Sequence, residues 1–267
     1  MRSLKLTVAY DGTAYCGWQF QRNGPSVQGT LERVIFRITG ENIRVTASGR
    51  TDAGVHALGQ VVGFRTRSTL APEVLQRAFN AFLPHDVRVI EVRDDPLDLD
   101  PIRDSISKRY RYVIQDGGLL DLFQRHYLWY WPVRLDEQAM NQAAQLLSGT
   151  HDFAAFQSAG SPRATTVRTV HEFSVSRNSP QAPGKLVFEI CADGFLYNMV
   201  RNLVGTLLEI GRGDRPAGWV LEVLASQDRT RAGRTAPPQG LFLVAVNYPT
   251  SRPETKPQET TDAIRDP

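Results

Sequence analysis

Three short stretches hold residues whose types and spacing could do chemistry. In "GRTDAGVH", residues 49–56, a single carboxylate, Asp52, stands two residues after Arg50 in a loop that also holds Gly49 and Gly54. Loops between strands are where binding and catalytic groups concentrate, because a rigid scaffold holds them within reach of a ligand. Arg50 is close enough in the chain to pair with the carboxylate and favour its ionised form. The glycines let the backbone turn tightly and a bulky ligand approach. Taken alone, the same aspartate reads more simply as an Asx turn or as the cap of a short helix over "AGVHAL".

The second stretch is "KRYRY", residues 108–112, where Tyr110 and Tyr112 share one face of a strand among Lys108, Arg109 and Arg111. A ring between cations can stack on a nucleic-acid base, a contact worth roughly 1–3 kcal/mol. Two tyrosines on the buried face of an ordinary strand fit the pattern equally. The third stretch is "NMVRNLVGTLLEIG". Met199, Leu203, Leu207 and Ile210 make a core-facing helical stripe, and Arg201 lies off it. That arginine gains meaning only if Asp52 needs a cationic partner from elsewhere in the chain.

These residues must be held by the elements around them. "LKLTVAY" alternates as a strand, with Leu4, Leu6, Val8 and Tyr10 on one face. "SVQGTLERVIFRITG" predicts a helix with Val27, Leu31, Ile35 and Ile38 inward, Ser26 as its N-cap and Gly40 as its stop. "IRVTA" and "QVVGFRT" predict short strands on either side of the aspartate loop. "LAPEVLQRAFNAF" predicts a helix starting near Pro72, and "VRVIEV" a closing strand. The order is strand, helix, strand, strand, helix, strand.

The second half repeats that order with different residues. "KRYRYVIQ" reads as a strand, "LDEQAMNQAAQLL" as a helix from near Asp136, and "TVRTVHEFSV" and "KLVFEICA" as strands around the turn-rich "RNSPQAPG". The helix "FLYNMVRNLVGTLLEIG", a shorter one over about 217–225 and the strand "GLFLVAVNY" complete it. Two successive β-α-β-β-α-β units imply an α+β fold of two ferredoxin-like halves, each with helices on one sheet face, and a cleft between them is the natural place for a site. The polar, acidic "RDDPLDLDPIRD" connects the halves. From Pro249 the chain lacks apolar periodicity and is expected to be disordered.

Composition narrows the class. At 267 residues and 41% hydrophobic, the chain can bury a sizeable core. No apolar run approaches a membrane span and the first ten residues read as a strand, which points to the cytoplasm. Cys16 and Cys191 form no CxxC pair, and the five histidines show no ligand spacing, so nothing suggests a disulfide framework or a metal. The net charge is only +3, yet Lys5, Lys108, Lys185 and Lys256 are the sole lysines among 31 basic residues. Arginine binds phosphate through a fork and stacks on bases, as an RNA-binding surface requires, although an arginine-rich bias in usage would give the same count.

Between about residues 4 and 249, in order along the chain, "YDGTAYCGWQ", "GRTDAGVHALGQVVGF", "FNAFLP", "KRYRYVI", "HDFAAF", "FLYNMVRNLVGTLLEIG" and "GLFLVAVNY" resemble the TruA family of tRNA pseudouridine synthases. The resemblance implies the pseudouridine synthase fold, two related α+β halves with antiparallel or mixed sheets around a central basic cleft. Residues 1–104 would carry the aspartate loop, residues 105–249 the tyrosine strand and arginine helix, and 250–267 a tail. It implies isomerisation of uridine to pseudouridine in the anticodon stem-loop of tRNA, without cofactor or metal, by a cytoplasmic homodimer. By this match Asp52 is catalytic, and Arg201 is its salt-bridge partner. Tyr110 stacks on the target base and serves the final proton step, Arg50 intercalates or places the flipped nucleotide, and Leu241 lines the uracil pocket. The carboxylate attacks C1′ or removes the C2′ proton. Either route needs it ionised in a site shielded from water, so a cationic partner is physically required.

The chain departs from the family pattern before the tyrosine strand. "LDLDPIRDSISKRYRY" has Ile102 where an arginine is expected and Arg103 one place later, which bears on one RNA contact and on substrate range. Two other readings stand beside the enzyme. A catalytically inactive or altered-specificity tRNA-binding relative would keep the scaffold, but the intact trio Asp52, Tyr110 and Arg201 speaks against lost turnover. A glycoside hydrolase needs a second carboxylate paired with Asp52, and Asp11 and Asp193 are the candidates.

Overall fold

The computed structural model describes residues 1–95, 98, 100–160, 164–177, 179–180 and 182–249, so the expected disorder of the tail falls almost wholly outside them. Strand β1 (Arg2–Tyr10) buries Leu4, Leu6, Val8 and Tyr10 on one side, as alternation dictates. In α1 (Val27–Thr39) the Ser26 hydroxyl accepts from the Gly29 N–H, and Gly40 ends the helix at φ +73°. Strand β2 is only Thr46–Ala47, shorter than its apolar pattern predicts. Strand β3 (His56–Thr66) starts earlier than expected, inside the aspartate octet. Helix α2 (Pro72–Phe82) and strand β4 (Val87–Asp94) complete this run.

The second run contains β5 (Ser107–Asp116), β6 (Trp129–Trp131), α3 (Glu137–Leu146) and β7 (Gly149–Asp152). It continues with β8 (Val167–Ser176), β9 (Leu186–Ala192), α4 (Met199–Gly211), α5 (Trp219–Ser226) and β10 (Leu241–Asn247). Asp136 caps α3 by accepting from the Ala139 N–H at 3.0 Å. The short strands β6 and β7 have no periodicity of their own and were not legible in the sequence.

Among the described residues, all strands join one ten-stranded sheet, in the order β4-β1-β3-β10-β5-β9-β8-β7, with β2 also on β3 and β6 also on β5. Within the first run the order is β4-β1-β3-β2, and within the second it is β10-β5-β9-β8, every pairing antiparallel. Both runs thus have the same arrangement, fourth strand, first, third, second. Two helical crossovers around one direct strand-to-strand connection lead to that order.

The seam between the runs is parallel. His56 pairs with Phe242 and Ala57 with Leu243, while further along β3 Gly63 and Val62 pair with Thr46 and Ala47 of β2. The octet therefore leaves the sheet where β2 gives way to β10 on the edge of β3. One continuous apolar cluster runs through both halves. Helix α4 is buried almost all round, including Asn202 and Thr206, and not only along its predicted stripe. Among the described residues, no helix is long and apolar enough to cross a membrane.

Candidate active site

The backbone of the octet is pinned by buried polar side chains. Gln60 of β3, wholly buried, donates to the Gly49 carbonyl at 2.8 Å and accepts from the Ser48 hydroxyl at 2.8 Å. The Thr51 and Tyr10 hydroxyls bond at 2.8 Å, and the Trp18 N–H donates to the Thr51 carbonyl at 3.0 Å. From β5, the Lys108 ammonium donates to the Ser48 carbonyl at 2.6 Å. Gly17, at φ +100°, passes so close that a Cβ there would lie 2.7 Å from the Thr51 carbonyl oxygen. Satisfying each buried polar group in this way fixes the loop, and with it the carboxylate.

His56, the last residue of the octet, is structural. Its Nδ1 accepts from the Gly12 N–H at 3.0 Å, and its Nε2 faces the His126 carbonyl at 2.9 Å. The ring stacks on Phe242 across the seam, with centroids 4.8 Å apart. Burial lowers its pKa, and an Nδ1 that accepts a hydrogen bond carries no proton, so the 3.2 Å approach of Asp11 is not an ion pair.

Asp52 lines a cleft of about 1280 Å³. Its Oδ2 lies 3.4 Å from Nη1 of Arg201, with the two side chains 31% and 16% exposed. Arg201 comes from α4, which turns it toward the cleft, and its other bonds hold it there. Nε donates to the Ala236 carbonyl at 2.7 Å, and Nη1 donates to Oδ1 of Asn198 at 2.8 Å. Asn198 sits in the left-handed region, φ 59° and ψ 8°, just before the helix.

The electrostatic outcome differs from the sequence expectation. Burial raises the Asp52 pKa above the ordinary aspartate value, and the charge and hydrogen bond of Arg201 only partly oppose it. Desolvation prevails because the carboxylate is mostly removed from water while its one cationic contact is long. Arg50 does not supply the missing charge. It is exposed, lines the cleft, and forms no ion pair among the described residues, so the expected pairing with Asp52 is not made. Two residues apart on a sharply turning loop, the side chains diverge.

Tyr110 of β5 lies at the cleft floor, 8% exposed, with its ring edge-on to Phe195 at 4.9 Å. Burial, reinforced by Tyr10 and Asp52, pushes its hydroxyl far above the ordinary tyrosine range, so at neutral pH it is a neutral phenol. Tyr112 points to the same side but donates to the Pro237 carbonyl at 2.8 Å, as a core residue. Leu241 opens β10, is 6% exposed and lines the cleft.

Among the described residues, Arg44, Arg50, Arg103, Lys108, Arg168 and Arg201 line the cleft against only Asp52 and Asp193, so its field is positive. Neither candidate second carboxylate contacts Asp52. Asp193 accepts from the Thr169 N–H at 3.1 Å, and Asp11, outside the cleft lining, accepts from Thr13 and from the Tyr127 hydroxyl. Ile102 and Arg103 both reach the rim, Ile102 at 57% exposure, while the described acidic residues of the preceding run stay out of the lining. Asp100 instead caps the turn that presents this pair, accepting from the Ile102 and Arg103 N–H groups.

Sequence reasoning missed Asn198, Gln60, Phe195 and the Ala236 carbonyl. Asparagine just ahead of a helix was a weak signal for Asn198, because asparagine tolerates the left-handed region. A backbone carbonyl 35 positions from Arg201 leaves no signal at all.

The family model for tRNA pseudouridine synthase matches residues 6–102 and 143–249. A tRNA pseudouridine synthase A of Myxococcus xanthus is 46% identical over 266 residues, 100% of this chain and 99% of that protein. The enzyme of that name from Acetivibrio thermocellus is 44% identical over 249 residues, 93% of this chain and 100% of its own length. The one from Moorella thermoacetica is 44% identical over 250 residues, with the same coverage. A solved structure of an H/ACA RNP bound to a substrate RNA containing 2′-deoxyuridine aligns at TM-score 0.32 and 12% identity, over 77% of this chain and 53% of that one. This chain thus spans about half of that one, and so low a score carries no weight for the fold.

Proposed function

This chain belongs to the tRNA pseudouridine synthase family, and from that membership we propose that Asp52 starts the isomerisation of a tRNA uridine at its ribose. The observation that carries the reading is a half-buried carboxylate on a pinned loop, in a basic cleft, with the Arg201 guanidinium 3.4 Å away. In one route the carboxylate bonds to C1′ as the bond to uracil N1 breaks and its electron pair leaves with the base. In the other it takes the C2′ proton, the same bond breaks to leave a glycal, and the proton later returns. Uracil then turns and C5 bonds to C1′, in the first route as the carboxylate–C1′ bond breaks and its electron pair returns to Asp52, and the C5 proton departs to restore the ring.

Each neighbour has a part in this reading. Arg201 favours the ionised carboxylate against the desolvation that raises its pKa. Tyr110, kept neutral, offers a ring to the base and a hydroxyl that can donate a hydrogen bond. Leu241 borders the uracil. Arg50, exposed at the cleft, helps hold the nucleotide out of its stack, a displacement that costs a few kcal/mol. The cleft cations offset that cost through phosphate contacts, which are salt-dependent.

Residues 1–104 contribute the aspartate loop, and residues 105–249 the tyrosine strand and arginine helix. The target lies in the anticodon stem-loop, and the setting is the cytoplasm. A homodimer is part of the same reading, supported by the exposed apolar side chains Leu119, Leu122 and Phe123, which a second copy would cover. The test is direct. Unmodified tRNA transcripts are incubated with wild type and with Asp52→Ala, and pseudouridine is mapped. Product from wild type alone is expected, and product from both would remove Asp52 from the chemistry.

A further inference from the structure

Arg201 divides its donors among three acceptors, and the division is uneven. Nε takes the Ala236 carbonyl at 2.7 Å, Nη1 takes Asn198 Oδ1 at 2.8 Å, and the same Nη1 stands 3.4 Å from Asp52 Oδ2. A charge-assisted bond between guanidinium and carboxylate ordinarily closes to about 2.7–2.9 Å and is often two-pronged. Here the neutral amide has the short bond and the carboxylate the long one. Asn198 makes that bond from a backbone conformation non-glycine residues rarely adopt, φ 59° and ψ 8°. Backbone strain of this kind clusters at functional sites, and here it sits directly beside the carboxylate's partner.

We propose that Asn198 is a positioning residue that holds the Arg201 guanidinium back from Asp52, leaving the carboxylate partnered but not fully engaged. The proposal rests on the catalytic reading of Asp52 given above. A nucleophile or base needs electron density at its oxygens, and a closed two-pronged ion pair would draw on both and lower their basicity. A carboxylate with no cation at all would be driven further toward its protonated form by burial. The long single contact lies between these extremes.

The other charged or titratable groups around Asp52 leave this control to Arg201. On its own loop Arg50 is exposed and His56 is neutral. From β1, Tyr10 is held neutral, pushed up to about 12 by burial. From β5, Tyr110 is a neutral phenol and Lys108 is bonded to the Ser48 carbonyl. Elsewhere in the cleft, Asp193 accepts from the Thr169 N–H and Arg103 lies 4.0 Å from Asp100.

Two substitutions at one position separate the amide from the backbone. Asn198→Gly keeps the left-handed residue and deletes the acceptor, so Arg201 closes on Asp52. The acid limb of the kcat profile then moves to lower pH while the plateau falls several-fold. Asn198→Asp keeps the shape and adds a competing negative charge, so the acid limb moves to higher pH. KM for tRNA stays within about twofold in both, because positioning acts on the chemical step. Shifts in opposite directions support the proposal. An unmoved limb in either variant, shifts in the same direction, or a loss confined to KM overturns it. Thermal melts of both proteins keep a folding defect from being read as a shift. Asp52→Ala runs alongside: turnover in that variant defeats the catalytic reading, whereas a dead Asp52→Ala with unmoved limbs defeats only the role of Asn198.

Discussion

Replacing Arg201 by glutamine leaves a shorter, neutral side chain in place of the one cation that contacts the carboxylate among the described residues. At the observed 3.4 Å, two unit charges attract by ~1.2 kcal/mol in water and ~5 kcal/mol at an effective dielectric of about 20. With Asp52 31% and Arg201 16% exposed, solvent screening places the pair in the lower half of that range, at ~2–3 kcal/mol. The lost attraction acts on the ionised form alone. Because burial already raises the Asp52 pKa, the substitution raises it further. The active fraction at a given pH falls, and the acid limb of the rate profile moves upward. At about 1.4 kcal/mol per pH unit the acid limb moves up by roughly 1.5–2 units, so the rate on that limb drops roughly thirty- to a hundredfold and recovers as pH rises. The assay is single-turnover release of the C5 proton from tRNA labelled at uridine C5, measured across pH. A loss independent of pH, accompanied by an equal fall in tRNA affinity, would refute the reasoning and make Arg201 a phosphate contact.

Asp52→Asn should stabilise the protein at neutral pH while abolishing turnover. A carboxyl whose folded pKa lies above its unfolded value binds more protons when folded, so stability falls as pH rises through that interval. Melting temperature should rise by up to a few degrees at neutral pH, with the gain fading below the ordinary aspartate pKa; an equal gain at all pH values would contradict the linkage. Gly205→Ala should damage fold and site together, because a Cβ there would lie 1.7 Å from the Arg234 carbonyl oxygen. The segment that must move carries the Ala236 carbonyl that holds Arg201, so a loss of about 3 kcal/mol or more in denaturant titration and reduced kcat are expected together. Wild-type stability in this variant would mean that the crossing of α4 with residues 233–236 is looser than the structure has it.

Much of this protein was determined by its sequence alone. Alternation set the inner face of β1, and Ser26 and Gly40 set the ends of α1 through capping and the left-handed stop. The order strand, helix, strand, strand, helix, strand, written twice, specified the strand order of both halves. The octet and "NMVRN" marked Asp52 and Arg201 as partners by resemblance. These features are local or periodic, so neighbouring residues encode them. What tertiary structure decided depends on distance and on water. The 149 positions between Asp52 and Arg201 collapse to 3.4 Å, while Arg50, two residues away, points elsewhere. The parallel seam at His56 and Phe242, the Ala236 carbonyl and the strained Asn198 have no periodic signature. The sign of the Asp52 pKa shift is the plainest case. Sequence reading required a cation and expected it to prevail, yet desolvation depends on how much of the fold surrounds the carboxylate, and here it outweighs one long contact.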